Sequence, residues 1–381
     1  MRNDFAPVGS PRAQRVFAIA FVVLLALPLL GQLAGWNNEV ALLERHEPSP
    51  FPALPHTRTA LQAWPQDVDR WLVDRAGFRS ALVLAGSAIE VYLFGHSTNR
   101  DVVPGRDGWL FYAGDRTLEQ MNGTDVFTQA ALDRWIDRFE ARRDWLARRG
   151  IPFLVVIVPN KERVYHEFLP ASAGALAPVT RLTQIRERLT QRGSSLQLLD
   201  LTDALLAAKA HTQVYARRDT HWSGAGAFRG YLAIMHALQP ALPTLQPLRP
   251  EQMDEIDVPY PARELDLLRM LGLGWAGAGE TLPYPLPRPT TAWTSRREDS
   301  TVDGVARTRL VTTRTDAPNI VWFHDSFSDT LAVYLNATFG TTVLESHGST
   351  RFDKALIDAE RPDAVVYELV ERFLPVEPAA D

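Results

Sequence analysis

Two polar motifs in this chain carry residues that could act together as a nucleophile and its base. The first, RRDTHWS, places Asp219 two positions before His221. The second, HDSFS, places Ser326 where an apolar stretch ends and the chain turns polar. A serine hydroxyl attacks a carbonyl when a base removes its proton, and an imidazole base needs a partner that fixes its tautomer. These residues predict acyl-transfer chemistry, with Ser326 as nucleophile, His221 as base and Asp219 orienting the ring.

Structural roles are the alternatives for these residues. Asp219 and His221 could cap the helix that follows them, and Ser326 could cap the next one. A metal site is a further alternative, but Asp-x-His supplies two ligands and no dense cluster of His and Asp in the sequence completes the set. We therefore predict no metal and no bound cofactor. Asp325 is expected to tie the turn by accepting backbone N–H bonds.

Alternating strands and helices would have to bring the two motifs together. Apolar runs predict about five parallel strands, at residues 153–159, 195–201, 319–327, 341–346 and 363–370. Helices are predicted at 128–149, 179–192, 224–238, 328–339 and 353–359. A short strand, QVYARR, precedes the first motif. The predicted fold class is α/β, a parallel sheet flanked by helices, and Ser326 lies beyond the carboxyl end of a strand, where such sheets bind ligands.

Proline-rich segments set the predicted domain boundaries. They divide the chain into a linker (37–65), a domain (66–375) with an insertion (239–290), and a tail (376–381). The domain opens with a helical stretch at 67–94. The insertion embeds a helical piece at 263–274 and could form one wall of a substrate groove.

The first 36 residues carry the localisation signal. Arginines at positions 2, 12 and 15 precede an uncharged, apolar run at 16–36. About 20 apolar residues span a bilayer, and the positive flank stays in the cytoplasm. The pattern predicts an uncleaved inner-membrane anchor with the remaining chain outside that membrane; a cleaved secretory signal is the alternative. The lack of cysteine in the sequence is compatible with an oxidising compartment.

Composition excludes one broad class of function. Hydrophobic residues make up 46% and charged residues 22% of the chain, as in ordinary globular proteins. The net charge of −5 and the lack of a basic arm in the sequence argue against nucleic acid as a partner.

Six motifs in fixed order carry a family resemblance: GRDGWLF, VPNKERVYHEFLP, LLDLTDALLAAKA, RRDTHWSGAGA, HDSFSD and RPDAVVYELVER. Over about residues 65–375 the chain resembles the alginate O-acetyltransferase AlgJ/AlgX-type family, which has an SGNH-hydrolase-like domain. The resemblance implies a periplasmic enzyme that transfers or removes acetyl groups on an exopolysaccharide, with the same three catalytic residues. It also implies a circularly permuted motif order relative to ordinary SGNH hydrolases. His324 departs from the family, which often has a small residue there; we expect its ring to point away from the site.

Several further residues are candidates for substrate binding. Asn160 and Lys161 follow a predicted buried strand and could contact substrate or stabilise an oxyanion, although a solvated loop is the alternative. Arg351 and Arg372 could bind sugar carboxylates, or form ordinary ion pairs. Trp222 could stack on a sugar ring, or fill the core.

Three functions remain open from the sequence. The first is a periplasmic O-acetyltransferase acting on hydroxyls of alginate or a similar exopolysaccharide; the second is an acetylesterase with the same triad. The third is a non-catalytic polysaccharide-binding subunit of an export or acetylation complex. A transferase would need an acetyl donor, and the resemblance implies a partner of the membrane-bound O-acyltransferase type that passes acyl groups across the membrane.

Overall fold

The computed structural model describes residues 11–33, 49–75, 79–274, 278–348 and 351–379. The chain divides into two units, one within residues 1–98 and 269–277 and the other within 99–268 and 278–381. Some predictions lie outside the described residues: the N-terminal tip (1–10), the end of the anchor (34–36), much of the linker (37–48), Phe78 of the first helical stretch, and residues 380–381 of the tail. The domain boundaries stay a prediction.

The first unit is helical. It contains α1 (Pro11–Leu33), α2 (Arg58–Arg75) and α3 (Arg79–Ala88), and α3 continues into one π-helical turn, Ile89–Leu93. α2 begins inside the segment predicted as linker, and Pro65, the predicted end of that linker, lies within this helix. Helix α1 covers residues 16–33 of the predicted anchor. Among the described residues, no helix meets the length and apolarity that crossing a bilayer requires, so the anchor stays a prediction.

The second unit contains the strands β1 (Val102–Pro104), β2 (Leu110–Tyr112), β3 (Phe153–Val158), β4 (Gln197–Asp200), β5 (Met253–Tyr260), β6 (Glu280–Pro287), β7 (Ser295–Val302), β8 (Val305–Thr312), β9 (Ile320–His324), β10 (Thr341–Ser346) and β11 (Ala364–Val370). The helices that follow α3 in the chain are α4 (Thr117–Met121), α5 (Gln129–Ala147), α6 (Lys161–Val164), α7 (Arg181–Arg192), α8 (Thr202–Lys209), α9 (Gly224–Leu238), α10 (Asp266–Met270), α11 (Ala332–Asn336) and α12 (Lys354–Glu360).

The main sheet has seven strands in the order β4-β3-β11-β9-β10-β8-β7. The first five run parallel, which confirms the predicted parallel strands. The last two pair antiparallel, so the sheet is mixed rather than parallel throughout. Strand β7, SRREDSTV, was missed because it lies largely exposed at the sheet edge and lacks the apolar alternation that marks a half-buried strand.

Helices cover both faces of the sheet. Along β3 the side chains alternate between two cores: one, with residues of α9 and α11, takes Leu154, Val156 and Val158, and the other, with residues of α5 and α7, takes Phe153, Val155 and Ile157. A strand buried on both faces reads as a continuous apolar run, and this explains why FLVVIV was recognisable in the sequence.

The predicted insertion is built around an antiparallel pair, β5 with β6, and α10 lies between them in the chain. The helical piece predicted at 263–274 is shorter in the structure, and residues 275–277 lie outside the description. The Tyr334 hydroxyl of α11, with its single proton, lies within hydrogen-bond distance of the carbonyl oxygens of Gly224 (3.1 Å) and Pro285 (2.9 Å). This contact holds β6 against the start of α9, directly after the first polar motif.

Candidate active site

The segment between α8 and α9 folds back on itself and presents the first motif. Tyr215 and Trp222 form an antiparallel bridge, and Ala216 N–H donates to the carbonyl oxygen of His221 at 3.2 Å. This single bridge replaces the strand predicted for QVYARR. Ser223, rather than Asp219 or His221, caps α9: its Oγ accepts from Gly226 N–H at 3.1 Å.

Gly226 lets α9 lie close to this loop. A Cβ at this position would come within 2.1 Å of the Val214 carbonyl oxygen. Because that contact is with backbone, which cannot rotate away as a side chain would, glycine is required where the helix starts.

Lys161 supports the loop from the interior. The side chain is 2% exposed, and Nζ donates to the carbonyl oxygens of Ala216 (3.2 Å), Arg217 (3.3 Å) and Asp219 (2.7 Å). Burial lowers the pKa of Lys161, although the nearby acidic groups oppose that effect. Direct contact with substrate, predicted for Lys161, is not compatible with this placement, since its three donors face the loop backbone.

The second motif forms a tight turn after β9. A 3₁₀ helix, Ser326–Asp329, follows Asp325 directly and leaves Ser326 exposed. Asp325 accepts hydrogen bonds from Phe327 N–H (2.9 Å) and Val370 N–H (2.7 Å), so its predicted role in tying the turn is confirmed. The turn is thereby fixed to the end of β11, the neighbouring strand.

Asp219, His221 and Ser326 meet in one hydrogen-bonded chain. His221 Nε2 lies 2.8 Å from Ser326 Oγ, and His221 Nδ1 lies 2.7 Å from Asp219 Oδ1. With its proton on Nδ1 donated to Asp219, the ring presents an unprotonated Nε2 to the Ser326 hydroxyl. The structure therefore brings together the three residues predicted from the sequence. His221 and Ser326 are 105 positions apart in the chain.

The electrostatics of the site favour the charged forms of Asp219 and His221, a carboxylate beside an imidazolium. Burial alone would raise the pKa of Asp219, but the hydrogen bond and charge of His221, with backbone N–H donors, outweigh it and lower that pKa to about 2. Burial alone would lower the pKa of His221, and the hydrogen bond and charge of Asp219, aided by Asp266, outweigh it and raise that pKa. The site thus stabilises an imidazolium, the species formed when the ring takes a proton from serine.

Asp266, in α10, is a site residue that the sequence did not reveal. Its Oδ2 lies 3.7 Å from His221 Nδ1. Together with Asp219 and His221 it forms a group whose ligand atoms lie within 4.8 Å of one another, close enough to consider a cation. Those atoms are already engaged in hydrogen bonds with the loop, and burial, followed by the charge of Asp219, raises the pKa of Asp266.

Arg372 lies beside the turn that carries Ser326. Its guanidinium stacks over the rings of Phe327 (5.4 Å) and Tyr112 (5.8 Å), and the Phe327 ring also contacts the His221 imidazole at 5.0 Å. No ion pair joins it to an acidic residue in the described part of the chain. Asn160, 5% exposed, holds this segment, because its Oδ1 accepts from Arg372 N–H at 3.2 Å.

Trp222 and Arg351 take the structural roles that were their alternatives. Trp222 is 4% exposed, and its Nε1 donates to the Phe327 carbonyl oxygen at 2.9 Å, so the ring fills core and cannot serve as a platform for a sugar. Arg351 pairs with Asp353 at 2.9 Å and Glu345 at 3.2 Å. These contacts correct the predicted substrate roles of both residues: Trp222 joins the loop that carries His221 to the turn that carries Ser326, and Arg351 belongs to an ion-pair network.

His324 does not compete with His221 for the serine. Its Nδ1 lies 2.6 Å from the carbonyl oxygen of Asp325, the next residue. The ring is therefore engaged with the backbone of its own turn, as expected for a side chain that points away from the Ser326 hydroxyl.

Comparisons with known proteins match the part of the chain that holds the site. Residues 102–358 match the family described as SGNH hydrolase-like domain, acetyltransferase AlgX. A probable alginate O-acetylase AlgJ from Pseudomonas aeruginosa is 30% identical over 141 residues, 37% of this chain and 34% of that protein. Its counterpart from Pseudomonas putida is 34% identical over 128 residues, 33% of this chain and 31% of that protein. The match spans about one third of the length of these curated relatives.

A solved structure supports the fold. Bacillus cereus PatB1, solved with a sulfonyl adduct, superimposes with a TM-score of 0.53 at 12% sequence identity, covering 73% of this chain and 100% of that one. At this identity the similarity concerns the fold alone. With the family match it confirms the SGNH-like α/β class expected from the resemblance, although the sheet is mixed where a parallel one was predicted.

Proposed function

This chain belongs to the family of SGNH hydrolase-like acetyltransferase domains typified by AlgX, and we propose that it transfers acetyl groups to polysaccharide hydroxyls through an acyl-enzyme on Ser326. The observation that carries the proposal is the hydrogen-bonded chain Asp219–His221–Ser326, with 2.7 Å and 2.8 Å between successive polar atoms. A structural capping role would not require the imidazole to face a serine from a distant turn.

The reaction proceeds in two halves. In the first, His221 Nε2 takes the Ser326 hydroxyl proton as Oγ attacks the acetyl carbonyl carbon; the tetrahedral species collapses, the donor leaves with that proton, and acetyl-Ser326 remains. In the second, His221 takes a proton from a sugar hydroxyl, which attacks the acyl carbon, and returns it to Ser326. Asp219 holds Nδ1–H and stabilises the imidazolium in both halves. The backbone N–H of Ser326, at the start of the 3₁₀ turn, is the proposed oxyanion donor.

Arg372 is the proposed contact for an acidic acceptor. It forms no ion pair with an acidic side chain among the described residues, and aromatic rings hold it beside the turn that carries Ser326. A guanidinium in this setting suits a uronate carboxylate, which it can bind through two parallel hydrogen bonds. Asn160 then acts indirectly, by positioning the Arg372 backbone.

The polymer, compartment and partner are proposed at the same level. Relatives named alginate O-acetylase favour alginate or a similar exopolysaccharide as the acceptor. The proposed location is the periplasm, with residues 16–36 as an inner-membrane anchor. Because acyl-coenzyme A is not expected outside the cytoplasm, a partner of the membrane-bound O-acyltransferase type would supply the acetyl group.

The direct test compares the full-length protein with Ser326→Ala, using an activated acetyl ester as donor and an oligouronate as acceptor. We expect Ser326→Ala to abolish both ester turnover and acetylation of the sugar while leaving sugar binding intact. Ser300→Ala, a change at an exposed serine in β7, is the matched control and should keep full activity.

The outcomes separate the three functions. Acetylated oligosaccharide as the product supports a transferase. Release of acetate alone, whatever the acceptor concentration, identifies an esterase with the same triad. A native protein that binds sugar but turns over no ester, or a Ser326→Ala variant that keeps its rate, contradicts the acyl-enzyme and favours a binding subunit.

A further inference from the structure

The predicted insertion does more than border the site, because α10 places a carboxylate against the loop that carries the base. We propose that Asp266 is a positioning residue for the Asp219–His221 pair, so that this insertion completes the catalytic apparatus. This inference rests on the proposed function. Asp266 lies 47 residues from Asp219 in the chain, and Asp-x-His was recognised without it.

Three hydrogen bonds tie Asp266 to two consecutive loop residues. Its backbone N–H donates to Asp219 Oδ2 at 2.7 Å. Its carboxylate accepts from Thr220 N–H at 2.8 Å and from Thr220 Oγ1 at 2.5 Å. Asp219 is therefore held at both oxygens: Oδ1 accepts a hydrogen bond from the imidazole of His221, and Oδ2 accepts one from the backbone N–H of Asp266 in the insertion. A carboxylate fixed at both ends cannot rotate away from the ring.

The imidazole consequently faces two carboxylates on one side. Asp219 Oδ1 lies 2.7 Å and Asp266 Oδ2 lies 3.7 Å from His221 Nδ1. Both contacts are at the Nδ1 edge, opposite the Nε2 edge that meets Ser326. Asp266 thus adds negative charge where the ring must keep a proton, without occupying the edge that reacts.

Several other charged or titratable groups act on this region. The Lys161 ammonium lies beneath the loop, and the Arg372 guanidinium lies on the serine side, where its positive charge opposes protonation of the ring. Tyr260 of β5 has its pKa raised by burial and by the charge of Asp219. The charge of Glu280 in β6 acts on Lys161, where it opposes the lowering of the pKa by burial. Any titration of His221 reports the sum of these groups, so the test must change the Asp266 charge alone.

Glu280 supplies a second attachment from the insertion. Its carboxylate accepts from Arg217 N–H at 2.8 Å and from Gln213 Nε2 at 2.6 Å. The loop is thus fixed on the insertion side by two carboxylates and on the core side by Lys161. Glu280 binds the loop before the Asp-x-His motif, and Asp266 binds it within that motif. We infer that the insertion helps to determine the geometry of the site as well as the shape of a groove.

Two substitutions separate charge from geometry at Asp266. Asparagine can still accept from Thr220 N–H and can donate to Thr220 Oγ1, so Asp266→Asn keeps the frame and removes the charge. Asp266→Ala removes both. Asp257→Asn, at an exposed position of β5 in the same insertion, is the matched control.

The first measurement is the titration of His221 in the full-length protein by NMR with carbon-13 histidine, assigned with His221→Ala. We expect Asp266→Asn to lower the pKa of His221 and to move the acid limb of kcat/KM to lower pH, because the neutral imidazole is the base. Asp257→Asn should change neither. Asp266→Ala should also reduce kcat, on the order of 10-fold to 100-fold, the scale of misplaced catalytic groups.

The readouts distinguish failure of this inference from failure of the proposed function. If the wild-type protein has no acyl turnover, the NMR titration still reports whether Asp266 acts on His221. A pKa of His221 that is the same in Asp266→Asn and in wild type overturns the inference. So does an Asp266→Ala variant, folded by thermal melting, that keeps wild-type kcat.

Discussion

Replacing Asp219 by asparagine tests the hydrogen-bonded chain most directly. The wild-type carboxylate accepts two hydrogen bonds at Oδ1, from His221 N–H and Nδ1–H, and one at Oδ2, from Asp266 N–H. Asparagine has one oxygen, so its NH₂ group must face either the imidazole or Asp266 N–H. If the NH₂ group faces the ring, the ring proton moves from Nδ1 to Nε2. A protonated Nε2 can no longer accept the proton of the Ser326 hydroxyl.

The magnitude follows from the pKa of Asp219. Lowering it from 3.8 to about 2 corresponds to about 2 kcal/mol of preferential stabilisation of the carboxylate in the fold. Because the folded pKa is depressed, this stabilisation is fully present above pH 3.8 and is lost as the pH falls towards about 2. The imidazolium formed in catalysis also loses its partner, and in Ser-His-Asp enzymes the equivalent change costs about 10⁴-fold in kcat.

The assay is hydrolysis of an activated acetyl ester across pH by the full-length protein, with urea unfolding followed in parallel. We expect kcat/KM of Asp219→Asn to fall by about 10³-fold to 10⁴-fold and its stability at neutral pH by about 2 kcal/mol. Asp257→Asn should resemble wild type in both measurements. A folded Asp219→Asn protein within about tenfold of the wild-type rate would refute the argument, since the ring would not need this carboxylate.

Three other substitutions have expected outcomes. Lys161→Met removes the donor to three loop carbonyl oxygens, of which that of Arg217 keeps a hydrogen bond from Leu110 N–H at 2.8 Å. Urea unfolding should show a loss of several kcal/mol, at about 1–3 kcal/mol for each of the two acceptors left unpaired, those of Ala216 and Asp219. Gly226→Ala places a Cβ 2.1 Å from the Val214 carbonyl oxygen, and thermal melting should show a loss of about 1–3 kcal/mol. Arg372→Gln should raise KM for a uronate acceptor while leaving KM for a neutral ester unchanged. It should also move the acid limb to higher pH, since its charge opposes protonation of His221.

The parallel part of the sheet could be predicted because each strand and helix carries its own local signal. α9 and β10 have the predicted bounds, 224–238 and 341–346. Ser223 marks the start of α9 as its N-cap, and the apolar residues that follow at helical spacing indicate that the helix continues. Such signals are contained in a short window, so one sequence suffices to read them.

The β7–β8 hairpin carries a local sequence signal in its turn. Its turn is Asp303-Gly304, both with positive φ (51° and 77°), and an Asp-Gly pair is a strong indicator of a two-residue hairpin turn. The polar character of β7 concealed the strands on either side. Charged residues along an exposed edge strand protect it from pairing with other chains, which is the reason it does not look like a strand.

Tertiary contacts explain what could not be predicted at the site. Asp219, His221 and Ser326 were named from residue type and motif, but Asp266 has no local signature: it is one acidic residue in a proline-rich segment. The burial of Lys161 and Trp222 was equally hidden, because the sequence shows a charged residue after a strand and an aromatic one after a histidine. Whether such side chains face solvent or are buried against a neighbouring loop is decided by tertiary packing, which a local sequence pattern does not show.

The long separations within the site have a consequence for folding. His221 and Ser326 are 105 residues apart, Asp325 is tied to Val370 in β11, and Asn160 binds the Arg372 backbone 212 residues away. Contacts of this range close long loops, whose entropy cost must be offset by many interactions at once. The bond from Val370 N–H to Asp325 ties the turn that carries Ser326 to β11, the last strand in the chain. The placement of Ser326 beside His221 therefore depends on the end of the chain as well as on the turn itself.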